Sequence, residues 1–513
     1  MTFHSNQEPL VLKNVATVVK HNEISSISFI FEIQFKNEIQ KSKSIYHGMR
    51  YLFQTIPEQN HRFRKYIISL ISVLFLVFPG ILSGQAVHDT LPSRVTLSQC
   101  LTYALANQAL IKQSLLDEDI KKRDIRIALS GWYPQLEFDA NLQNNIQIPT
   151  AYYPNIINPP SYTPFIPFPS TTRYGSAGVF SANQTLYSSN LFFAARTSRE
   201  LRNQASENTV NTKINIYVDV TKAFFDVLLT EEQVDVLNED IMRLQRNYDD
   251  AYSLYRNGLT DKIDYQRAEI SLSNVQAQKK SSGEALKAKY SVLKHLMGAA
   301  PEKQLTVLYD SSKIENEILI DTTRNLNYNN RIEIQQLQTS MKLQSSGIDY
   351  YRWSFLPTLS AFYNYDPQYH SDQFSDLYNK VYPSSLLGLK LTLPLFQGMN
   401  RLENISKAKL QYQRLKYGMY YLESQINSEY TLALSMYTSN LNELRTAKRN
   451  ITVAKDIFNT VKLQYDKGIK AYLEVIVSET DLRNAELNYL NILFQVLSSK
   501  IDLEKASGEI KIN

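Results

Sequence analysis

The sequence predicts a mainly α-helical fold with a smaller β part, built from two copies of one unit. The duplication is visible in two glycines, because Gly258 and Gly298 recur 210 residues later as Gly468 and Gly508. Two stretches of 68 residues contain no proline, which favours helices far longer than the globular mean of about 11 residues. After Pro134 the apolar residues follow a period of two, which indicates strands. Because a large internal repeat decides the architecture, we treat the chain as two halves of one pseudo-symmetric protomer.

The N-terminus has the charged, apolar and small-residue order of a secretory signal peptide. Basic residues precede an apolar run at Tyr66–Leu82, and Ser83–Ala86 supplies small residues. We expect cleavage after Ala86. Met49 offers an alternative start, which would leave residues 1–48 untranslated. The other interpretation is an uncleaved anchor helix, although the run is shorter than the ~20 residues that span a bilayer.

The two copies set the expected domain limits. Each copy is predicted to contain a helix, a β-hairpin, a long helix and a helix with a seven-residue repeat. The predicted ranges are a leader and signal peptide at 1–86, a first repeat at 87–300 with its hairpin at 134–188, a linker at 301–323, and a second repeat at 324–513 with its hairpin at 357–397.

Composition argues against a nucleic-acid partner and against an enzyme. Nine basic and five acidic residues lie in the leader, so the net charge of +5 falls to near zero in the rest of the chain. Cys100 is the single cysteine, which excludes an internal disulfide. Metalloprotease, phosphate-loop and serine-hydrolase motifs are absent, and the histidines are scattered. We therefore expect no catalytic residue, no cofactor and no metal site.

A helix is predicted to open each repeat. In the first copy it begins near Leu97, where Thr96 or Ser98 can cap it, and runs to Ser130. Pro134 prevents its continuation. Pro357 plays the same role in the second copy, at an offset of 223 residues.

The hairpins that follow alternate apolar and polar residues. Leu136, Phe138, Ala140 and Leu142 alternate with polar residues in the first copy, and the returning strand of the second copy alternates most clearly. Strands of ~10 residues with one apolar face fit a transmembrane β-barrel, and an antiparallel sheet over a soluble core is the alternative. In the barrel interpretation, lipid contacts four leucines, namely Leu387, Leu389, Leu391 and Leu393.

The tip of the first hairpin differs from that of the second. Pro149–Ser170 is rich in Pro, Tyr and Ile, and the prolines predict an external loop without regular structure. A proline-rich ligand for a peptide-binding domain is the alternative interpretation.

Long helices are predicted at Asn190–Asn257 and Asn400–Lys467, each about 100 Å long. Helices of this length need packing along their whole length, as in a coiled coil. The last helix of the second copy carries the heptad positions Val475, Leu482, Tyr489, Val496 and Leu503, with small residues at most positions three residues later. Gly258 and Gly468 are predicted left-handed turns between the long helix and the last helix of each copy.

These features resemble the TolC-like outer-membrane efflux protein family over residues 95–510. The resemblance is carried by the opening helix at Leu97–Ser114, the two Pro-x-Leu junctions, the run Leu393–Gly398, and the two Tyr-x-x-Gly turns followed by heptads. It is the ordered and duplicated set that is specific, rather than any single motif.

The resemblance implies a homotrimer in the outer membrane. Each protomer would contribute four strands to a trimeric 12-stranded barrel, and long antiparallel coiled-coil helices would form a tunnel across the periplasm. Closure is also needed because strand edges in lipid would leave backbone groups unsatisfied. The implied function is a passive export conduit that docks to a periplasmic adaptor (membrane fusion) protein and an inner-membrane RND or ABC pump. The alternative is a periplasmic structural or adhesin-like coiled-coil protein without a pore.

The resemblance also places a gate near the two glycine turns. The candidates are Glu474 as a pore acid, Lys470 beside the turn, and a contact between Asp264 and Tyr465. A second acid, one turn after the first, is common in the family, but Val477 occupies that position here. The other interpretation is that these acids are solvated charges near helix starts, where the helix dipole favours them.

Overall fold

The structure is a computed structural model, and it describes residues 91–154, 165–309, 318–320 and 326–512. Residues Thr90–Asn513 form one compact unit. The predicted leader and signal peptide lie outside the described residues, as do the middle of the predicted loop and residues 310–317 and 321–323 of the linker.

Regular structure in the described residues follows the predicted duplication. The elements of the first copy are β1 (Arg94–Val95), α1 (Leu97–Asn107), α2 (Ala109–Leu129), β2 (Gln135–Asn144), β3 (Thr150–Pro154), β4 (Phe165–Pro169), β5 (Tyr174–Tyr187), α3 (Ser189–Arg256) and α4 (Lys262–Met297). After the short strand β6 (Thr306–Val307), the second copy has α5 (Ile332–Trp353), β7 (Thr358–Ser371), β8 (Val381–Thr392), α6 (Asn400–Asp466) and α7 (Tyr472–Ser507).

The two long helices are confirmed, since α3 has 68 residues and α6 has 67. Helix α3 packs along α4 and α6 packs along α7, and the two pairs meet where α7 contacts α3. The heptad positions Val475, Leu482, Val496 and Leu503 are all buried on α7. Among the described residues, no helix is long and apolar enough to cross a bilayer.

The prediction of one continuous opening helix is wrong. The chain breaks at Gln108, whose backbone is extended at φ −60° and ψ 129°, so that α1 and α2 are separate helices. The Gln108 side chain donates Nε2 to the backbone oxygens of His295 and Leu296, at 3.2 and 3.3 Å. The last carbonyl groups of a helix have no partner within the helix. At the break, the Gln108 side chain therefore provides a hydrogen-bond donor for two carbonyl groups at the C-terminus of α4.

The second copy repeats this contact with a different residue. Arg331, 223 residues after Gln108, has the same extended backbone before α5. Its Nη1 donates to the backbone oxygen of Ala506 at 3.0 Å, near the C-terminus of α7. Glu333 and Glu429 accept from the same guanidinium, which is 6% exposed. A buried arginine needs such partners, because an isolated buried charge is costly.

Four strands form one antiparallel sheet in the order β2-β5-β7-β8, so the two hairpins of the two copies join at β5 and β7. Strand pairing places the predicted apolar residues of all four strands on the same face of the sheet. One row across the sheet consists of Leu136, Ala182, Tyr363 and Leu387. Strand β8 ends at Thr392, so Leu393 follows the strand rather than lying within it. Strands β2 and β8 are the edges, and both are exposed along almost their whole length.

The prediction that Pro149–Ser170 lacks regular structure is wrong for its two ends. Thr150–Pro154 pairs with Phe165–Pro169 in a two-stranded antiparallel ladder. Proline cannot donate to a ladder, but Pro154, Pro167 and Pro169 occupy alternate positions whose N–H would point away from the partner strand. The neighbouring pair does form a bond, since Ser170 N donates to Pro149 O at 2.8 Å. The regular spacing of the prolines therefore permits the strand pairing.

The largest buried cluster of the described residues lies beside the middle of the two long helices, α3 and α6. Phe224 and Val227 of α3, Leu293 of α4 and Val496 of α7 are fully buried there. The chain between the two copies packs against this region, because the Tyr437 hydroxyl of α6 donates to Ile318 O at 2.7 Å. Strands β1 and β6 pair in parallel beside it. The helices thus extend from this packed centre toward the sheet at one end and the glycine turns at the other.

Candidate functional site

The two glycine turns end the long helices in the same way. Gly258 has φ +72° and Gly468 has φ +75°. Gly258 N donates to Tyr255 O and Leu259 N donates to Leu254 O, the bond pair of a Schellman motif, and the second copy repeats both bonds. A Cβ on either glycine would meet open space. Glycine is therefore favoured here by the left-handed backbone alone.

Acids follow each turn at the start of the last helix. Asp264 lies in the first turn of α4 and Glu474 in the first turn of α7. Both carboxylates stand where the helix dipole favours negative charge. Lys470 Nζ lies 3.9 Å from a Glu474 carboxylate oxygen, and the two side chains are 43% and 53% exposed. The predicted pore acid therefore has a compensating cation on its own helix end.

Tyr465 and Asp264 lie near each other without a hydrogen bond between them. Partial burial raises the pKa of Tyr465, and the nearby carboxylate of Asp264 raises it further. The Tyr465 ring packs against Tyr472, with centroids 5.6 Å apart. In the described part of the protomer, the predicted contact is thus one of proximity and charge.

Aromatic rings pack the first copy's turn more extensively. Tyr265 contacts Tyr252 and Tyr255, with centroids 5.5 and 4.9 Å away, and Tyr248 stacks on Tyr252 at 6.0 Å. These contacts join α3 to α4 close to the turn. The turn end of the first pair is therefore packed by side chains as well as by its backbone bonds.

A buried charge cluster lies about three to five helical turns from the glycine turns, between α3 and α7. Asp240 is fully buried and forms an ion pair with Arg243, and its other carboxylate oxygen lies 4.0 Å from Arg483 Nε. Arg243 Nε lies 3.5 Å from Glu479, which is 1% exposed. Asn247 donates Nδ2 to the other Glu479 oxygen at 3.0 Å. We call these five residues the buried charge cluster.

Electrostatics in the cluster are set by burial. Desolvation raises the pKa of Glu479, and Arg243 and Arg483 oppose that rise. Desolvation lowers the pKa of Arg483. One oxygen each of Asp240 and Glu479 has no hydrogen-bond donor. Removing one partner would leave the others buried and unpaired, which is strongly destabilising.

Sequence reasoning did not identify the residues of this cluster. The signal that was available is the spacing of two charged residues and an amide, at positions 240, 243 and 247, which lie on one face of a helix. The second copy does not repeat the pattern, since Asn450 and Val453 replace Asp240 and Arg243 at an offset of 210. The cluster therefore belongs to the contact between the two copies, and it is not a feature that each copy repeats.

Comparison with known proteins identifies the family. The family model described as outer membrane efflux protein matches residues 101–299 and 325–509, which together cover most of the chain. This chain belongs to the outer membrane efflux protein family. Its place in that family makes it an efflux channel protein of the outer membrane, as the resemblance predicted.

Individual relatives agree with this membership at low identity. Outer membrane protein TolC of Vibrio cholerae serotype O1 is 21% identical over 346 residues, which cover 65% of this chain and 77% of that protein. The protease secretion protein PrtF of Dickeya chrysanthemi is 18% identical over 421 residues, covering 79% and 87%. A solved structure of CusC, described in terms of transmembrane channel formation, superposes with a TM-score of 0.64 at 16% identity, covering 83% and 95%. The efflux-family fold is therefore shared along both copies.

Proposed function

We propose that this chain is the outer-membrane subunit of a tripartite export system and acts as a passive conduit, built as a homotrimer. The observation that carries the proposal is the four-stranded sheet with two exposed edges, β2 and β8. Edge strands in lipid would leave their N–H and C=O groups without partners, so the sheet needs further strands to close. Three copies would supply twelve.

The faces of the sheet support a barrel with a wet interior. Leu387, Leu389 and Leu391 are 77%, 71% and 65% exposed on one face. Lys390 and Thr392 alternate with them on the other. In the proposed barrel, Leu387, Leu389, Leu391 and Leu393 contact lipid, and Lys390 and Thr392 face the lumen.

We infer the partner proteins from the family to which this chain belongs, and not from a binding surface of the chain. The two relatives carry names that refer to an outer-membrane protein and to protease secretion. We propose a periplasmic adaptor and an inner-membrane RND or ABC pump as partners, with the conduit itself performing no chemistry. The exported substrate would then be chosen by the pump.

The gate is proposed to lie at the glycine-turn end. Glu474 would supply a ring of three carboxylates in the trimer, moderated by Lys470 at 3.9 Å. Asp264 and Tyr465 would contribute a closing contact between neighbouring hairpins. The electrostatic effect of Asp264 on the pKa of Tyr465 supports their nearness.

Fractionation tests the function against its alternative. The proposal expects the protein in outer-membrane extracts, migrating as a trimer before heating and as a monomer after heating. A periplasmic coiled-coil protein without a pore would appear in the soluble periplasmic fraction and would not change its migration on heating. That result would reject the conduit.

A further inference from the structure

We propose that the helix ends next to the sheet bind phospholipids of the periplasmic leaflet, with apolar side chains among the acyl chains and three arginines on the phosphate groups. The proposal rests on the proposed outer-membrane conduit and adds where the lipid boundary lies and which groups hold it. The four connections between sheet and helices lie at residues 126–134, 188–199, 350–357 and 393–402. We call these four ranges the junction collar.

The apolar face of the sheet continues past the end of strand β8. Leu391 is the last leucine within the strand, and Leu393 and Leu395 keep the same period of two beyond it. Leu395 is 88% exposed and Phe396 is 83% exposed, more than the leucines of the strand itself. Lipid that covers the proposed apolar face of β8 would therefore cover the start of the junction collar as well.

Aromatic side chains mark the junction collar in both copies. Trp132 and Phe355 are equivalent at the offset of 223 residues, and both rings are exposed. Trp353 packs on Phe192, with ring centroids 4.8 Å apart. The two tryptophans of the whole chain are thus both in the junction collar. Because tryptophan is enriched where a membrane meets water, this placement favours a lipid boundary here.

Three exposed arginines lie at the margin of the junction collar. Arg126 is in the last turn of α2, and Arg196 and Arg199 are near the start of α3. Within the described residues, none of their guanidinium groups forms an ion pair or a hydrogen bond. Helical side chains lean towards the N-terminus, so Arg196 and Arg199 lean towards the sheet. Guanidinium groups in this position fit phosphate, which arginine binds through paired N–H donors.

The acids beside these arginines are paired with other cations. Lys121 Nζ lies 3.1 Å from the carboxylate of Asp124. Lys342 Nζ lies 3.8 Å from the carboxylate of Glu200. The charges of the three arginines are therefore left to attract an anion from outside the protomer.

Aromatic rings and guanidinium groups are also in direct contact. The Arg196 guanidinium lies 5.7 Å from the centroid of the Trp353 ring, and that of Arg401 lies 4.9 Å from the centroid of the Phe355 ring. Arg401 is fixed further, because its Nη2 donates to Pro394 O at 3.0 Å. Cation–π contacts of this kind place a positive charge beside an apolar surface. One phospholipid molecule could therefore contact a ring with its acyl chain and an arginine with its phosphate.

A phospholipid satisfies both parts of the junction collar, and simpler ligands satisfy one part each. Free phosphate would pair with the arginines and would leave Leu395 and Phe396 in water. An uncharged lipid would cover those two side chains and would leave the guanidinium groups without an anion. Burial of apolar surface and charge pairing favour the same ligand, an anionic phospholipid.

Tryptophan fluorescence of the purified trimer in phosphatidylcholine vesicles tests where the lipid boundary lies. The vesicles carry a spin label either near the head group or near the end of the acyl chain. In the Trp353→Phe variant, Trp132 should lose more fluorescence to the label near the head group than to the deeper label, and it should be protected from iodide in the water. Quenching of Trp132 by iodide and by neither label would place the boundary at the strand ends and overturn the proposal.

This result separates the junction collar from the conduit. A trimer that conducts ions in planar bilayers, but whose Trp132 is quenched only by iodide, would overturn the junction collar and leave the conduit standing. Protein that does not insert into vesicles at all would overturn both.

Phospholipid retained by the trimer, measured by native mass spectrometry, tests the arginines. Wild type should retain phosphatidylglycerol in preference to an uncharged glycolipid with the same acyl chains. The variant Arg196→Gln with Arg199→Gln should reduce this preference about 25-fold, since each basic side chain at an anionic surface contributes about fivefold. The matched control is Arg246→Gln with Arg256→Gln, which changes two exposed arginines at the other end of α3 and should retain the preference of wild type.

Two results of this measurement would contradict the arginine site. An unchanged preference in the variant at positions 196 and 199 would show that these arginines do not hold the head group. Inorganic phosphate that binds wild type as tightly as phosphatidylglycerol does would identify a site for free phosphate, and it would also overturn the proposal.

Discussion

Asp240 is a fully buried carboxylate that faces Arg243 and Arg483. Replacing Asp240 with Asn should leave the guanidinium groups of Arg243 and Arg483 with one buried carboxylate, that of Glu479, in place of two. We expect a loss of about 3–5 kcal/mol in the free energy of unfolding of the helical part. Thermal unfolding followed by circular dichroism measures this loss.

A matched control for this prediction lies next in the chain. Glu239 is 71% exposed and lies 4.0 Å from the same Arg243. Glu239→Gln should cost no more than about 1 kcal/mol, since exposed ion pairs contribute little. Similar losses for the two variants would mean that the buried charge cluster is not what holds α3 to α7.

We expect opposite changes in cation preference when Lys470 and Glu474 are neutralised in turn. Three glutamates at a narrow opening favour cations, and the lysine 3.9 Å away reduces that effect. Glu474→Gln should therefore lower cation preference, and Lys470→Gln should raise it. Reversal potentials under a potassium chloride gradient measure both. A shift of the same sign in both variants, or in neither, would remove these residues from the gate.

At the scale of elements, two kinds of glycine end the helices. Gly258 and Gly298 both have positive φ, but a Cβ on Gly298 would lie 2.9 Å from the Cα of Gln108, whereas Gly258 faces open space. Asn tolerates the left-handed conformation, so Gly258→Asn should cost little. Gly298→Asn should cost about 1–3 kcal/mol more, because the backbone of the neighbouring helix must move. Equal melting temperatures would contradict this distinction.

Strand β8 allows adjacent residues to be compared on opposite faces. Leu391→Arg should cost about 2–4 kcal/mol near the membrane midplane, whereas Thr392→Arg should be tolerated in a wet lumen. The yield of heat-modifiable trimer in outer membranes measures both variants. If the two assemble equally well, the proposed lipid and lumen faces are assigned wrongly.

Local signals predicted the elements that depend on local chemistry. The proline-free stretches predicted α3 and α6 to within one residue at each end. The alternating leucines predicted the strand β8, but the strand ends at Thr392, before the predicted position Leu393. The break at Gln108 could not be found this way, because its cause is a contact with α4 almost 190 residues later. The β3–β4 ladder was missed because proline was taken to exclude a strand. Proline is compatible with a strand when the N–H that it lacks would point away from the partner strand.

The buried charge cluster also could not be predicted from local sequence signals. Asp240 and Glu479 are ordinary helical acids in the sequence, and only the register of α3 against α7 makes them neighbours. The gate candidates were placed by family resemblance instead. The structure brings Lys470 and Glu474 together and sets Asp264 near Tyr465 without a hydrogen bond.

At the scale of the molecule, the described residues form a duplicated protomer whose two sheet edges and outer helix faces lack partners among those residues. Inside the protomer, each of these surfaces has an equivalent that is covered by the other copy. A closed ring of protomers would cover them all and would also satisfy the edge strands in lipid. Assembly is thus the central requirement of the proposed conduit.

Single-channel recording in planar bilayers tests whether the purified trimer forms a conduit. We expect discrete current steps from the trimer fraction and none from heated monomer. The gate proposal adds that the double variant Asp264→Ala with Tyr465→Phe should give larger steps than wild type. A folded trimer that passes no current, in wild type and in the double variant alike, would contradict the conduit.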